Sequence, residues 1–436
     1  MTSLNFALHA DAIIPVAGPD NIVTGMSLIV RAGLIDGFIA TDDARQILDI
    51  EHIELPGHTL MPGLVNAHGH AAMTLLRGYA DDMPLDRWLN EKIWPMEGKW
   101  VAPDFVRDGT EIAAAEMILS GITTTSDMYF FPDVAAQALR SAGMRTQVVF
   151  PIMNVPTAWA SDAREYLDKG LALRDHFRND DLVDVGLGPH STYTVDEALL
   201  SITATLANEL DAAVQIHLHE TAAEVLAHVE ATGERPTDLL ARIGLLGPRT
   251  QCVHMTDIGN QDIDTLVLHG AHVIHCPRSN MKLASGACPV AKLKAAGVNV
   301  ALGTDGAASN NKLNGLAEMQ AASLLAKLES GDPTALSAAD SIKAATLDGA
   351  RAMGLDAVTG SLEVGKSADI IAVDTTGVTM TPGHRLDSDI VYASSGTEVA
   401  WSWIAGNNVL KNRQLQTLDS EALTDKARAW RAKLSA

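Results

Sequence analysis

The order of strand and helix signals predicts an α/β chain: a (β/α)8 barrel with a small β-sandwich domain built from both chain ends. Three observations carry this. Across residues 59–359, eight apolar strand-like runs alternate with helical stretches. Short β signals, punctuated by Gly and Asp, fill residues 1–58 and return over 360–436. The histidines and acids best suited to chemistry stand where those eight runs end, the face on which such barrels gather their sites.

In the N-terminal part the β signals are Leu4-Phe6-Leu8, Ala12-Ile-Ile-Pro-Val, Met26-Ser-Leu-Ile-Val, Leu34-Ile-Asp-Gly-Phe-Ile and Ile50-His52-Glu54. Residues 1–11 read as a strand; they lack the basic region and long apolar stretch of a signal peptide. The barrel strands are expected near 60–67, 122–129, 145–151, 183–189, 212–219, 250–255, 271–276 and 298–304. Helical patterns separate them, for example at 104–120, 134–142, 195–210 and 263–268. A long helical region over 311–354 precedes the returning β signals, Gly360-Ser-Leu-Glu-Val-Gly-Lys-Ser-Ala-Asp-Ile-Ile-Ala-Val and Glu398-Val-Ala-Trp-Ser-Trp-Ile-Ala-Gly. A terminal helix is expected from Ser420. Neither a solenoid-length repeat nor a low-complexity tract interrupts this order.

Composition narrows the function classes. A formal net charge of -22 over 436 residues disfavours binding to nucleic acid or to an anionic membrane. No apolar run reaches membrane-spanning length. Cys252, Cys276 and Cys288 form no CxxC pair and leave one thiol over in any disulfide scheme, which points to a reducing, cytoplasmic setting.

His68 and His70 end the first barrel strand, two residues apart and so on one side of it. His190 ends the fourth strand, His217 and Glu220 the fifth, His254 the sixth and Asp305 the eighth. Three imidazoles and a carboxylate with one open position suit zinc, and ferrous iron would also accept them. The ligand set read from the strand ends is His68, His70, His217 and Asp305. Alternation puts His219 on the same face as His217, so period alone does not choose between them. One divalent metal per subunit is expected, because the fourth strand ends in His190 and offers no lysine to bridge a second. Glu220 could carry protons between an attacking water and a ring nitrogen, Asp305 could accept the water's proton, and His254 could orient the water. Asp127, at the end of the second strand, is expected to make a structural hydrogen bond. HExxH, Pro-Cys-x-x-Cys, GxGxxG after a strand, and a Walker loop are all absent.

These motifs carry a resemblance. Pro62-Gly-Leu-Val-Asn-Ala-His-Gly-His, His217-x-x-Glu220, His275-Cys-Pro-Arg-Ser-Asn-Met-Lys-Leu-Ala-Ser-Gly and Gly303-Thr-Asp-Gly resemble the amidohydrolase superfamily. Within it, the run from Met73 to Glu97 and Asp305-Gly-Ala-Ala-Ser-Asn-Asn look like the 5′-methylthioadenosine/S-adenosylhomocysteine deaminases. The resemblance implies His217 over His219, since His217 stands three residues before Glu220. It implies that Glu220 protonates purine N1 while water attacks C6 and ammonia leaves. It also implies that Glu97 holds the ribose hydroxyls, His190 contacts the nucleoside, Trp88 lines the pocket, and the chain forms a homo-oligomer. One departure is informative: some members bind the homocysteine carboxylate through arginines on the third-strand loop, whereas this loop has none before Arg164. A carboxylate buried without a cation costs several kcal/mol, roughly. Val155, Pro156 and Trp159 are instead expected to suit a methylthio group, favouring methylthioadenosine, with adenosine as a further substrate, over S-adenosylhomocysteine. The alternatives are an aminohydrolase or chlorohydrolase acting on guanine or an s-triazine, against which Glu97 argues, and a non-catalytic scaffold of the same fold.

Overall fold

The computed structural model describes residues 4–18 and 22–435; the beginning of the expected first strand, residues 1–3, lies outside them. Five strands open the chain: β1 (Phe6–Ile13), β2 (Val23–Thr24), β3 (Met26–Arg31), β4 (Leu34–Ala40) and β5 (Glu51–Pro62). Eight parallel strands follow: β6 (Leu64–Asn66), β7 (Ile122–Asp127), β8 (Arg145–Ile152), β9 (Val183–Pro189), β10 (Val214–Leu218), β11 (Thr250–His254), β12 (His272–His275) and β13 (Val300–Leu302). They neighbour one another in chain order. Ala67 N–H donates to Leu302 O at 2.9 Å and Asp305 N–H to His68 O at 3.1 Å, which ties the last strand back to the first. The (β/α)8 reading is borne out, with each expected strand in place.

The first of them is shorter than its apolar run. Residues 60–62 belong to β5, and the chain crosses between sheets at Gly63. Its N–H donates to Asp369 O at 2.9 Å on one side, while the next N–H, of Leu64, donates to Gly121 O at 2.8 Å on the other. A Cβ at Gly63 would meet the Thr123 side chain at 2.1 Å, so only glycine passes.

The expected helices appear as Pro103–Leu119, Pro132–Ser141, Glu197–Leu210 and Asn260–His269, and the 311–354 region as Gly315–Ser330, Ala338–Ala344 and Leu347–Ala352. The chain then returns to β structure in β14 (Ile370–Asp374), β15 (Val399–Ile404), β16 (Asn407–Lys411) and β17 (Gln414–Leu415). These join the N-terminal strands in one nine-stranded, mostly antiparallel sheet, ordered β17-β16-β15-β14-β5-β1-β3-β4 with β2 beside β1. The sandwich is this single sheet curled on itself. Strands three apart in a flat sheet lie about 14 Å from each other, yet the rings of Phe6 on β1 and Trp403 on β15 are 6.0 Å apart. Alternation sorts β14: Ile370 and Ala372 join the core of the curled sheet, while Ile371 and Val373 join the barrel's apolar shell.

Beneath the barrel, a buried ion pair joins the two units. Arg145 at the start of β8 donates from Nε to Asp369 Oδ2 at 2.9 Å and from Nη2 to Ser367 Oγ at 2.9 Å. The terminal helix, Ser420–Leu434, docks Trp430 against Phe105, and its indole N–H donates to Asp108 Oδ2 at 2.9 Å.

Candidate active site

At the C-terminal mouth of the barrel the backbone bends sharply and so sets which side chains turn inward and which turn away. His219, His254 and Asp305 all take left-handed conformations, with φ of 51°, 78° and 60°. Such angles cost non-glycine residues about 1–3 kcal/mol each and gather at functional sites.

Each of four histidines there donates its Nδ1–H to an oxygen. His70 donates to Met128 O at 2.6 Å and His217 to His190 O at 2.8 Å; carbonyls only accept, so the tautomer follows. His68 donates to Gln215 Oε1 at 2.6 Å, and the Gln215 amide is oriented by its nitrogen giving a bond to Ala67 O at 2.9 Å. His254 donates to Asn280 Oδ1 at 2.9 Å. The Nε2 lone pairs are thereby left for the mouth. His68 Nε2 is buried without a protein partner. It stands 3.6 Å from Asp305 Oδ1, and His70 Nε2 stands 3.2 Å from the same oxygen. The donor atoms of His68, His70 and Asp305 lie within 4.8 Å of one another, as do those of His68, His217 and His254. Two triads thus share His68.

Tertiary structure separates the two candidates on the fifth strand. His217 turns into the mouth, its ring 4.9 Å from that of His68. His219 turns away and gives its Nδ1–H to Asp257 O at 2.9 Å. Burial, with neighbouring imidazoles, holds His217 well below the usual range and brings His190 down to about 3, so both rings are neutral. Burial opposes a proton on His70 too, but the Asp305 carboxylate raises it to about 9; this corner of the mouth favours positive charge.

The acids divide by surroundings. Asp305 accepts from Ser279 Oγ at 2.6 Å and Ser309 Oγ at 2.9 Å; burial opposes its charge, yet His68 and His70 hold it well below the usual range. Glu220 is raised to about 8 by burial and then by the Asp305 charge. It is not the cap of the next helix: Thr221 caps that, accepting from Glu224 N–H at 3.1 Å. Glu220 Oε1 faces His254 Nε2 at 3.8 Å. Glu97, on the short helix Trp94–Trp100, is buried, raised to about 7 by that burial, and accepts from the Tyr129 hydroxyl at 2.6 Å. Asp127 makes the structural bond expected of it, accepting from Ala71 N–H at 2.6 Å.

Residues 59–409 match the amidohydrolase family. The chain belongs to that family. The amidohydrolase is 50% identical over 436 residues to a 5-methylthioadenosine/S-adenosylhomocysteine deaminase of Teredinibacter turnerae, covering 100% of this chain and 99% of that protein. A 5'-deoxyadenosine deaminase of Methanothermobacter thermautotrophicus is 40% identical, covering 95% and 98%. The crystal structure of an adenosine deaminase from Xanthomonas campestris, with bound zinc, superposes with a TM-score of 0.98 at 42% identity, covering 99% of each chain.

The family is metal-dependent, and the donor set in this amidohydrolase fits a divalent cation: imidazoles whose Nδ1 bonds turn Nε2 toward the mouth, one Nε2 without a protein partner, beside a charged carboxylate. These groups open on one pocket. His70, His190, His217, Glu220, His254 and Asp305 face it, as do Trp88 and Glu97, so the site residues expected from the sequence line one cavity; His68 lies just behind. Trp88 is fixed by donating its indole N–H to Ala80 O at 2.9 Å, and it begins a π-helical stretch, Trp88–Ile93, that forms one wall.

One expectation is corrected. Val155, Pro156 and Trp159 are not among the described residues lining the pocket. The Tyr166 hydroxyl, on the helix Ala163–Phe177, donates to Val155 O at 3.1 Å and meets Thr157 Oγ1 at 2.7 Å, while the Trp159 ring packs beside Tyr166. The loop is folded back onto its own helix. Met153 and Pro151 supply that wall instead, with Leu85, Leu89 and Leu283 adding apolar surface. No arginine or lysine lines this pocket among the described residues. Sequence reading also passed over Tyr129, two residues beyond Asp127, and Ser309, four beyond Asp305; each spacing was visible, but nothing in it announced a hydrogen bond.

Proposed function

We propose that this amidohydrolase converts 5′-methylthioadenosine and water into the inosine analogue and ammonia, with adenosine as a further substrate. The observation that carries it is Glu97: a carboxyl buried in the pocket wall, with Tyr129 on one oxygen and the other left for a ribose hydroxyl. A guanine or triazine hydrolase would have no diol to place there. His68, His70, His217 and Asp305 would hold one divalent cation, for which zinc is the best match to the donor set. Bound there, the cation supplies Lewis-acid activation of water.

The chain's own groups do the rest. Glu220, raised to about 8, retains a proton at neutral pH and gives it to purine N1 as the water oxygen attacks C6. Asp305 takes a proton from the water, its second oxygen steadied by Ser279 and Ser309. His254, its tautomer set by Asn280, orients the water beside Glu220. The C6 hydroxyl proton then passes to the ionised Glu220, the proton held by Asp305 goes to the amino group, and the C6–N bond breaks to leave the C6 carbonyl, N1 with its proton, and ammonia. His190 and Trp88 contact the nucleoside.

The pocket wall offers sulfur-friendly surface in Met73, Met128 and Met153. Beyond it, a vestibule that shares Leu85, Trp94 and Tyr193 with the pocket is lined by Asp82, Asp86 and Glu224. Its lysine, Lys282, is already engaged by Asp81 at 2.6 Å and by Asn311. A homocysteine carboxylate would therefore find acids and, among the described residues lining the vestibule, no free cation. The test is ultraviolet loss of the adenine spectrum by zinc-loaded protein. Methylthioadenosine is expected to turn over with a higher kcat/KM than S-adenosylhomocysteine, and guanine not at all. An equal or higher kcat/KM for S-adenosylhomocysteine would overturn the 5′ assignment; turnover of guanine alone would overturn the nucleoside reading.

A further inference from the structure

Below the mouth, the barrel interior holds an unusual layer. Such interiors are filled mainly by Val, Ile and Leu, but here Gln147 on β8, Gln215 on β10 and Gln251 on β11 point inward, each 0% exposed. They are bonded head to tail. His68 Nδ1–H donates to Gln215 Oε1 at 2.6 Å, Gln215 Nε2–H to Gln251 Oε1 at 2.6 Å, and Gln251 Nε2–H to Gln147 Oε1 at 2.8 Å. Gln147 Nε2–H then donates to Asp184 Oδ2 at 2.8 Å, on a side chain 42% exposed at the far end of β9. Side bonds pin the ends: Gln215 Nε2 also reaches Ala67 O at 2.9 Å and Gln147 Nε2 reaches Met353 O at 3.2 Å.

Carboxylates and backbone carbonyls only accept hydrogen bonds, so Asp184, with Met353 O and Ala67 O beside the column, sets its direction. Each amide must then donate toward Asp184 and accept from the side of His68. We infer that this glutamine column, anchored at Asp184, is a positioning device that holds His68 in the Nδ1–H tautomer with Nε2 presented for metal. Chains of this kind polarise one another, each bond strengthening the next. The inference rests on the assignment of His68 as a metal ligand and is independent of which substrate the enzyme takes.

The test reads zinc affinity by competition with a chromophoric chelator, alongside thermal unfolding of the chelator-treated protein. Gln215→Met, which removes the direct partner, is expected to weaken zinc by about 10–100-fold. Gln251→Met, which touches no candidate metal-binding residue, is expected to weaken it by about tenfold. In a Gln215→Met background, Gln251→Met should add nothing, because its effect travels through Gln215. Zinc affinity within twofold of wild type for Gln251→Met, or an effect that adds in full to that of Gln215→Met, would overturn the proposal. Should these core variants fail to fold, Asp184→Asn at the partly exposed end keeps the shape and replaces the charged terminal acceptor of the column with a neutral one, weakening the polarisation passed along it. It is expected to shift or broaden the His68 Nδ1–H resonance in nitrogen-15 spectra, and an unchanged resonance would overturn the column.

Discussion

The two ends of the barrel bury charge to opposite purpose. At the floor, Asp369 accepts from Arg145, Ser367 and the Ala405 N–H; burial opposes its charge, but the guanidinium and these bonds hold its carboxyl below the usual range. At the mouth, Glu220 and Glu97 are equally buried but thinly partnered, and burial raises them to about 8 and about 7. The floor spends its polar groups on one another and so fixes the barrel to the curled sheet. The mouth leaves its groups short of partners, open to hydrogen bonds from something bound there. Burial by itself therefore says little about role; the count of partners decides it.

Variants at the two ends should break in different ways. The largest expected loss is at the mouth: Glu220→Gln should lower kcat by about 10²–10⁴-fold while keeping the metal and the unfolding temperature. His217→Ala should lose both metal and turnover. Metal analysis beside steady-state kinetics separates the two, and near-wild-type turnover by Glu220→Gln would remove its proton-transfer role. At the floor, Arg145→Met strands Asp369 and should cost about 3–5 kcal/mol of stability, measured by urea unfolding, with kcat per folded molecule retained. A loss of kcat without a loss of stability there would contradict the division of labour.

A smaller effect sharpens the mouth itself. Glu97 keeps its proton up to about pH 7, so ribose binding through its carboxylate should weaken as pH falls below that point. The same raised value means that stability from the retained proton is present below the ordinary carboxyl range and lost as pH rises through about 7. Glu97→Gln should flatten both dependences and cost about 10–100-fold in kcat/KM on ribonucleosides. Tyr129→Phe should do less: the hydroxyl favours the charged carboxylate, so its loss moves the acid limb of kcat/KM to higher pH. An acid limb that stays in place or moves down would mean Tyr129 does not tune Glu97.

Much of this was legible in the chain. Strand–helix alternation named all eight barrel strands, and the histidine and acid positions at their ends named the mouth. What strand alternation by itself could not rank was His217 against His219, since both share a face until the left-handed turn at His219 sends one away. Sequence reading placed Val155, Pro156 and Trp159 in the pocket because they are apolar and near a strand end, without sight of the Tyr166 bond that folds their loop back. Nothing local marked Gln215, because its partner Gln251 lies 36 residues away and Gln251 in turn bonds Gln147, 104 residues from it.

The sequence by itself determined the period, the element order and the chemical types available at each strand end, because these depend on local pattern and side-chain identity. Tertiary structure decided which of those groups meet, which keep a proton, and which are already satisfied. Those outcomes depend on distance and burial, set by strand register and by the closing of the barrel, so groups far apart in the chain determine one another's chemistry.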